Sequence, residues 1–394
     1  MPVYSVIYTI PYFSVFFILL WIAHAEKQGK IKAENSLRWC LAIFVLFFCF
    51  RSFVGWDWMA YYPMYMAIDD LFHFTSTSFI IVYSDTLQSE LIEPGFILYT
   101  YIIKTILDNW FFYVFVTTLI PILAIAVFVK KYSTNYAFSF AIFFALYHGL
   151  LIDLMRNSLA LSIFLFALVY LKKNNLLVIL LITLVGVSFH RTFFILFPFF
   201  FLRNKTLPRI AIWSLFAVAI FVFILQIPIA TMFLSYVGDY LGDIVSSKMS
   251  TSADKGVGGA RGFTLGLLIR LVVFIIMMMN YQKICRDRKL IVLFNAYLVY
   301  FFISVGVSDI RIIADRMEFV LFFPFIILYP YLARVIYPQY RRVYLLFILL
   351  FCFMKTYKYT SSVMLEYQTV FSGITYDEQY SIKHSIADKI VDEQ

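Results

Sequence analysis

The stretch Arg51-Ser-Phe-Val-Gly55-Trp-Asp57-Trp-Met-Ala-Tyr61 places two charged side chains where an apolar run of the chain ends. Charge at the end of a membrane-spanning helix is costly, so residues that carry it are candidates for a functional site. If a helix resumes after Gly55, Asp57 and Tyr61 lie on one of its faces, since they are four residues apart. Gly55 is expected to close the preceding helix in a left-handed cap. The alternative is an Arg51–Asp57 ion pair that only stabilises the helix end.

The apolar runs around this stretch continue through most of the chain. Of the 394 residues, 63% are hydrophobic and only 14% are charged. A soluble domain cannot bury that much apolar surface, so the composition predicts an all-α polytopic membrane protein. About 12 transmembrane helices are predicted, at residues 4–23, 39–54, 110–129, 136–152, 156–171, 174–190, 192–202, 209–229, 263–281, 290–308, 317–334 and 342–355.

The basic residues indicate which side of the membrane each loop occupies. They concentrate in alternate loops, at residues 24–38, 130–131, 172–173, 203–209, 282–289 and 334–342. Since basic loops stay in the cytoplasm, both termini are predicted to lie outside. This topology predicts one transmembrane domain at 1–357, with outer loops at 55–109 and 230–262, and an outward-facing C-terminal tail at 358–394. The net charge of +9 belongs to these short loops and does not indicate a nucleic-acid partner.

One apolar segment in the outer loop 55–109 does not fit a simple alternation. The 13 residues from Gly95 to Leu107 would reach only about 20 Å as a helix, against an apolar membrane core of about 30 Å. If this segment crossed the membrane, Lys130 and Lys131 would lie outside. Residues 94–107 are therefore predicted to form a re-entrant or interfacial helix on the outer side.

The remaining polar residues collect on the predicted outer side, where the positive-inside rule disfavours arginine. They are Arg51, Asp57, Tyr61, Glu93, Arg156, His190, Arg191, Arg261, Asp309, Arg311, Asp315 and Arg316. A partly embedded cluster of arginines requires an anion, and the planar guanidinium suits phosphate. The predicted substrate- or diphosphate-binding residues are Arg51, Tyr61, Arg156, Arg191, Arg261, Arg311 and Arg316.

Several of these residues also have a structural interpretation. Glu93 precedes a proline-started helix, where a carboxylate complements the helix dipole. Arg156 can pair with Asp153 at the surface, or present its guanidinium to a phosphate at a helix N-terminus. His190 is drawn below the interface because the next apolar run, 192–202, spans only about 17 Å. It is a candidate base, although a lone histidine is more often a core residue.

Neither a cofactor nor a metal site is predicted. The segment Gly256–Gly262 is glycine-rich but lacks the Gly-Lys-Ser/Thr of a phosphate-binding loop, so we interpret it as a mobile loop tip that carries Arg261. Asp69, Asp70 and His73 are interpreted as part of a solvated loop rather than as a divalent-ion site. The four cysteines lie in or beside apolar runs, which favours neither disulfides nor a cysteine metal site.

Four short motifs follow one another along the chain. They are Arg51-x-x-x-Gly55-x-Asp57-x-x-x-Tyr61, Glu93-Pro94-x-Phe96, Arg156-x-x-x-Ala160 and Phe189-His190-x-Thr192. Their order and spacing over residues 45–205 resemble the EpsG-like branch of the Wzy-type polysaccharide polymerases, and the arginines at 311–316 are similar in kind. The resemblance implies a metal-independent, GT-C-like glycosyltransferase in a bacterial inner or plasma membrane, with its active site facing the periplasm or the cell exterior.

By this resemblance, the donor and the acceptor are glycans linked to undecaprenyl pyrophosphate. Membrane lipid and a chain-length-regulating membrane protein are the further expected partners. The expected catalytic residues are His190, Asp57 and Glu93; either His190 or Asp57 is the base, and the arginines stabilise the departing diphosphate. An O-antigen-type ligase and a flippase or transporter of lipid-linked oligosaccharides are the alternatives. Transporters usually contain internal repeats, and none stands out in this sequence.

Overall fold

The computed structural model describes residues 3–68, 80–81, 90–172, 175–229, 231–232, 262–306 and 319–392. Nearly all of this part of the chain is helical, as the composition predicts. The helices are α1 (Ile10–Lys27), α2 (Ala33–Phe44), α3 (Trp58–Ala67), α4 (Pro94–Ile106), α5 (Trp110–Tyr132), α6 (Tyr136–Tyr147), α7 (Gly149–Ile152), α8 (Met155–Tyr170), α9 (Leu176–Phe189), α10 (Phe197–Leu202), α11 (Arg209–Ile224), α12 (Leu265–Met279), α13 (Tyr281–Arg286), α14 (Arg288–Gly306), α15 (Phe325–Val335), α16 (Pro338–Thr360) and α17 (Tyr376–Asp392).

Short irregular elements connect these helices. Short 3-10 helices occupy Ile7–Thr9, Arg191–Leu196, Val363–Leu365 and Val370–Ser372, and a π-helical turn at Val45–Cys49 extends α2. Strand β1 (Ile80–Ile81) pairs antiparallel with β2 (Glu90–Leu91).

Four helices of the described chain are long and apolar enough to cross a membrane: Ile7–Lys27, Trp110–Tyr132, Arg288–Gly306 and Pro338–Thr360. Shorter apolar helices of 10–17 residues, including α6, α8, α9 and α11, lie at other predicted spans. These helices make the chain a polytopic membrane protein. The number of spans remains a prediction.

Two predicted spans differ from the helices that form. The helix predicted at 39–54 ends at Cys49, because residues 50–55 leave the helix and pair with a distant part of the chain. The helix predicted at 317–334 is interrupted in the described residues, since 319–320 are helical, 321–324 are not, and α15 begins at Phe325, directly after Pro324. Pro324 is the N-cap residue of α15, a position at which the missing amide hydrogen of proline costs no helical hydrogen bond.

The chain contacts divide the protein into two compact units. One unit joins Met1–Phe197 to Pro338–Gln394, and the other comprises Pro198–Tyr337. Within the first unit, α1 packs on α6, and α8 packs between α5 and α9. Within the second unit, α14 packs against α11, α13 and α15. The single transmembrane domain at 1–357 remains a prediction.

The short helix expected at 94–107 is present as α4, which has 13 residues. Glu93 is its N-cap residue and Pro94 its first helical residue. The helix packs on α9 through a close approach at Gly95, where a Cβ atom would come within 2.2 Å of Ser188 Oγ. This contact brings Glu93 next to the C-terminal end of α9. The re-entrant or interfacial position of α4 remains a prediction.

The last part of the chain is folded against the segment with which the sequence analysis began. Helix α16 continues to Thr360, and residues 361–370 then run beside residues 50–55. Arg51 and Thr369 form an antiparallel bridge, and the amide of Ser52 donates to the carbonyl of Gln368 at 2.9 Å. Residues 361–375 are therefore a structural element of the first unit, and α17 follows them.

Candidate functional site

Arg156 forms contacts with residues of two other sequence motifs, Tyr61 and Glu93. It lies in the first turn of α8, and its Nη1 donates to Glu93 Oε2 at 2.8 Å. Its Nε donates to the hydroxyl of Tyr61 at 3.2 Å, and its guanidinium lies 5.9 Å from the centre of the Tyr61 ring. The side chain of Glu93 is only 8% exposed and that of Arg156 is 21% exposed, so the ion pair is largely shielded from water.

The same carboxylate also contacts Arg191. The Arg191 amide donates to Glu93 Oε1 at 3.4 Å, and Arg191 Nε lies 3.9 Å from that oxygen. The Arg191 side chain is 63% exposed, in contrast to Arg156. Glu93 makes no side-chain cap hydrogen bond to α4. The carboxylate is therefore used for two arginines rather than for capping the helix, and one of these arginines faces solvent.

His190 stands at the end of α9, and its ring is oriented by two neighbours. His190 Nδ1 lies 2.7 Å from Thr192 Oγ1, and that hydroxyl donates to Asn157 Oδ1 at 3.1 Å. The Thr192 backbone amide also donates to His190 Nδ1 at 3.2 Å, so Nδ1 is an acceptor and the neutral imidazole carries its hydrogen on Nε2. These contacts fix the orientation of the imidazole, and His190 remains a candidate base.

Asp57 begins α3, and its position depends on a residue that the sequence analysis considered only as a surface partner. The amides of Trp56 and Asp57 donate to Asp153 Oδ1 at 2.6 and 3.2 Å. Asp153 Oδ2 accepts from the hydroxyl of Tyr359 at 2.6 Å. Asp153 is buried, so the alternative of a surface pair with Arg156 is wrong. The helix expected after Gly55 does form, and Tyr61 donates its amide to the Asp57 carbonyl at 2.9 Å.

Gly55 has a clear structural reason for being glycine. Its φ is +98°, and a Cβ atom would lie 2.1 Å from Asp153 Oδ1. The prediction that Gly55 caps the preceding helix is wrong, because that helix ends at Cys49. Gly55 instead allows the chain to pass closely over Asp153, which then receives the two amides at the start of α3.

Arg51 is buried, with 2% of its surface exposed. Its guanidinium donates to the carbonyl of Phe48 and to Thr118 Oγ1, both at 2.7 Å, and to the carbonyl of Ile152 at 3.3 Å. These contacts join the end of α2 to α5 and α7. They place the Arg51 guanidinium inside the protein, where it supports the neighbouring turn that carries Asp57.

Asn157, Thr192 and Asp153 complete the arrangement but were not among the predicted site residues. Asn157 neighbours the predicted residue Arg156 in sequence, and Thr192 is a member of the motif that contains His190. Asp153 lies 96 residues from Asp57, so no local pattern connects the two. Three predicted arginines (Arg261, Arg311 and Arg316), together with Asp309, Asp315 and the Asp69–Asp70–His73 group, lie outside the described residues.

The helical architecture and this polar cluster define a polytopic membrane protein whose largely buried charges meet at helix ends. The model of the EpsG family matches residues 36–369, which is most of the chain. The protein belongs to the EpsG family. No curated protein and no solved structure matches it.

Family membership defines the general activity. The protein is a membrane-embedded, glycosyltransferase-like enzyme of the type that polymerises exopolysaccharide or O-antigen. The four motifs of the sequence analysis lie within the matched residues. Residues of all four meet directly, through Tyr61, Glu93, Arg156 and Arg191.

Proposed function

We propose that the protein polymerises oligosaccharide repeat units carried on undecaprenyl pyrophosphate, at the outer face of a bacterial inner or plasma membrane, on a GT-C-like fold. The observation that carries this proposal is the placement of Glu93 between Arg156 and Arg191, close to Tyr61 and His190. Such a group combines anion-binding side chains with a candidate base, which are the two requirements of transfer from a lipid diphosphate.

The arginines supply charge stabilisation for the leaving group. A diphosphate leaves as an anion, so it needs positive charge and hydrogen-bond donors more than it needs a proton. Arg191 is the principal candidate, because its guanidinium is mostly exposed and has several donors that suit phosphate oxygens. Arg156 lies at the start of α8, where the helix N-terminus also favours an anion. Arg261, Arg311 and Arg316 are proposed as further ligands.

The base acts on the incoming sugar. A hydroxyl oxygen of the acceptor glycan attacks the anomeric carbon of the donor, and the bond from that carbon to the diphosphate oxygen breaks. The hydroxyl proton passes to the imidazole of His190, and the lipid diphosphate leaves with the bonding electrons. Asp57 is the other candidate base. In this scheme Asp57 and Glu93 orient the acceptor when His190 takes the proton.

Arg51 has a supporting role in this mechanism. Its guanidinium donates hydrogen bonds to oxygens of Phe48, Thr118 and Ile152. We therefore propose that Arg51 stabilises the turn that leads to Asp57, rather than holding the diphosphate directly. Substitution of such a buried residue lowers the reaction rate when it displaces a catalytic group, even though the residue itself does not touch the substrate.

The test is a kinetic assay with the purified protein in lipid and a defined lipid-diphosphate-linked repeat unit. Arg191→Ala should raise the KM for the donor by about 10-fold or more, because a charge-assisted contact to phosphate is lost. The matched control is Arg38→Ala, at an exposed arginine in the middle of α2. Equal KM values for both variants would contradict a diphosphate-binding role for Arg191. Transfer of the glycan to another acceptor without chain growth would indicate a ligase instead.

A further inference from the structure

The C-terminal helix α17 packs its aromatic residues on α3, which carries Tyr61. The rings of Tyr376 and Tyr62 are stacked, with centroids 4.1 Å apart and planes at 18°. Tyr376 also meets Trp58 edge-on at 5.6 Å and Phe53 at 5.7 Å. Trp58 and Phe53 are buried. The first turn of α17 is thus part of the apolar core that surrounds α3.

Two turns further along α17, Lys383 enters the same interface and is fully buried. Its Nζ donates to the carbonyl oxygens of Phe53 and Met364, both at 2.9 Å. The ammonium also lies 5.9 Å from the centre of the Trp58 ring. Burying an amine costs free energy unless its hydrogens are bonded. Here one hydrogen bond goes to the segment that leads into α3, at Phe53, and the other goes to the segment that runs beside it, at Met364.

The carbonyl of Met364 connects Lys383 to Gly55. The Gly55 amide donates to that carbonyl at 2.8 Å, so the same oxygen serves both residues. Beyond this point the amide of Val370 donates to the Phe50 carbonyl at 3.0 Å. Residues 50–55 therefore lie along 364–370, and Lys383 ties the two segments together.

We propose that α17 is a clasp that positions the Asp57–Tyr61 segment for glycan transfer, and that Lys383 is the positioning residue of this clasp. The inference rests on the proposed function for its catalytic consequence, whereas the clasp itself is a structural property. Gly55 directly precedes Trp56 and Asp57, whose amides donate hydrogen bonds to Asp153. Tyr61, one turn later, contacts Arg156. A shift of the turn would therefore move Asp57 and Tyr61 relative to Arg156.

The direct test compares Lys383→Met with Lys358→Met at pH 8. Methionine has a side chain of similar length but no N–H group. The carbonyls of Phe53 and Met364 therefore lose their hydrogen bonds to Lys383. Lys358 is an exposed lysine near the end of α16 and is the matched control. Hydrogen–deuterium exchange of residues 52–61 should become faster by about 10-fold in Lys383→Met, since a lost buried hydrogen bond lowers local stability. The control should match the wild type.

The catalytic consequence is measured on the same preparations. In Lys383→Met the rate of polymerisation at saturating donor should fall by about 10- to 100-fold, because misplaced groups lose reactivity. The KM for the donor should change much less, since Arg191 contacts Glu93 at the start of α4. A parallel loss of folded protein and of donor binding would contradict a positioning role and indicate general destabilisation.

The two parts of the proposal fail separately. Unchanged exchange of residues 52–61 in Lys383→Met overturns the clasp, whatever the activity. Faster exchange with an unchanged rate overturns the positioning role. If the wild-type protein forms no polymer, the proposed function fails, and the exchange result still decides the clasp. If Lys383→Met does not fold, Tyr376→Leu removes the stack on Tyr62, and unchanged exchange of α3 in that variant overturns the clasp.

Discussion

The carboxylate of Glu93 and the guanidinium of Arg156 meet at 2.8 Å, although 63 residues separate them in the chain. Glu93 stands at the start of a short helix and Arg156 at the start of a long one. The ion pair therefore joins two helix N-termini, and Arg191 approaches it from the end of α9. In the proposed mechanism this contact keeps Arg156 in place while Arg191 receives the diphosphate.

Glu93→Gln should weaken both stability and activity. Glutamine keeps the size of the side chain but removes the charge that holds Arg156 and Arg191. We expect the free energy of unfolding to fall by about 1–3 kcal/mol, the usual range for a lost charge-assisted contact in a shielded site. Thermal unfolding in detergent and the polymerisation rate are the measurements. Glu34→Gln, at an exposed glutamate in α2, is the control, and a similar effect of both variants would refute the role of the ion pair.

The choice of base is tested by comparing His190→Ala with Asp57→Asn. If His190 is the base, His190→Ala should lower the rate by about 100-fold or more, within the usual contribution of general base catalysis. Asp57→Asn should then retain a larger part of the activity, since it keeps the backbone contacts to Asp153. The reverse order of the two rates would assign the base to Asp57.

Thr192→Val tests how His190 is oriented. Valine removes the hydroxyl that lies between His190 Nδ1 and Asn157, so Nδ1 keeps its contact to the Thr192 amide but loses its contact to the hydroxyl. The rate should fall, by less than in His190→Ala, and its pH profile should change. Thr183→Val is the control, because the Thr183 hydroxyl bonds to the carbonyl of Ile179 within its own helix. An unchanged pH profile in Thr192→Val would argue against this orientation.

Gly55→Ala and Gly29→Ala separate close packing from backbone strain. Both glycines have positive φ values, +98° and +72°. A Cβ atom on Gly55 would clash with Asp153, whereas one on Gly29 meets nothing within 4 Å. We expect Gly29→Ala to cost about 1 kcal/mol of backbone strain. Gly55→Ala should cost clearly more and reduce the rate. Equal losses of thermal stability would show that the approach to Asp153 is unimportant.

Lys383 gives the clasp a pH dependence. Burial lowers the pKa of Lys383 to about 7, and the charges of Glu366 and Asp153 oppose this shift. An exposed lysine has a pKa of about 10.4, so between about pH 7 and pH 10 the released helix binds more protons than the docked helix. Docking of α17 should therefore strengthen as the pH rises through this window and should be weakest, and constant, below it.

The measurement is the exchange protection of residues 52–61, corrected for the intrinsic effect of pH on exchange. In the wild type this protection should rise by up to about 10-fold for each pH unit above pH 7. In Lys383→Met it should be independent of pH over the same range. Protection that falls with rising pH in the wild type would contradict the burial of an amine in this interface.

The helices and the grouping of the motifs follow from sequence signals, whereas the contacts that position the site do not. Apolar runs locate most helices because their length and hydropathy are local properties. The predicted topology placed the motifs with Tyr61, Glu93 and Arg156 on the same side of the membrane. The structure brings these three residues into contact. The pairing of Lys383 with Phe53 spans 330 residues, and no periodic pattern records such a contact.

The error at Gly55 has the same origin. The left-handed conformation was predictable from glycine, but the end of the helix was not. Residues 50–55 leave the helix because their backbone pairs with residues 364–370, and this tertiary interaction overrides local helix propensity. The role of Asp153 is hidden for a similar reason, since its partners Trp56 and Tyr359 lie far away in the chain.

The most direct test of the central claim is the size distribution of the products formed from a single, defined lipid-diphosphate-linked repeat unit. The wild-type protein in lipid should produce a ladder of glycans joined by new glycosidic bonds, with one lipid diphosphate released for each bond. His190→Ala together with Asp57→Asn should produce no ladder. A wild-type reaction that moves the repeat unit across the membrane without forming a bond, or a full ladder from the double variant, would contradict the account.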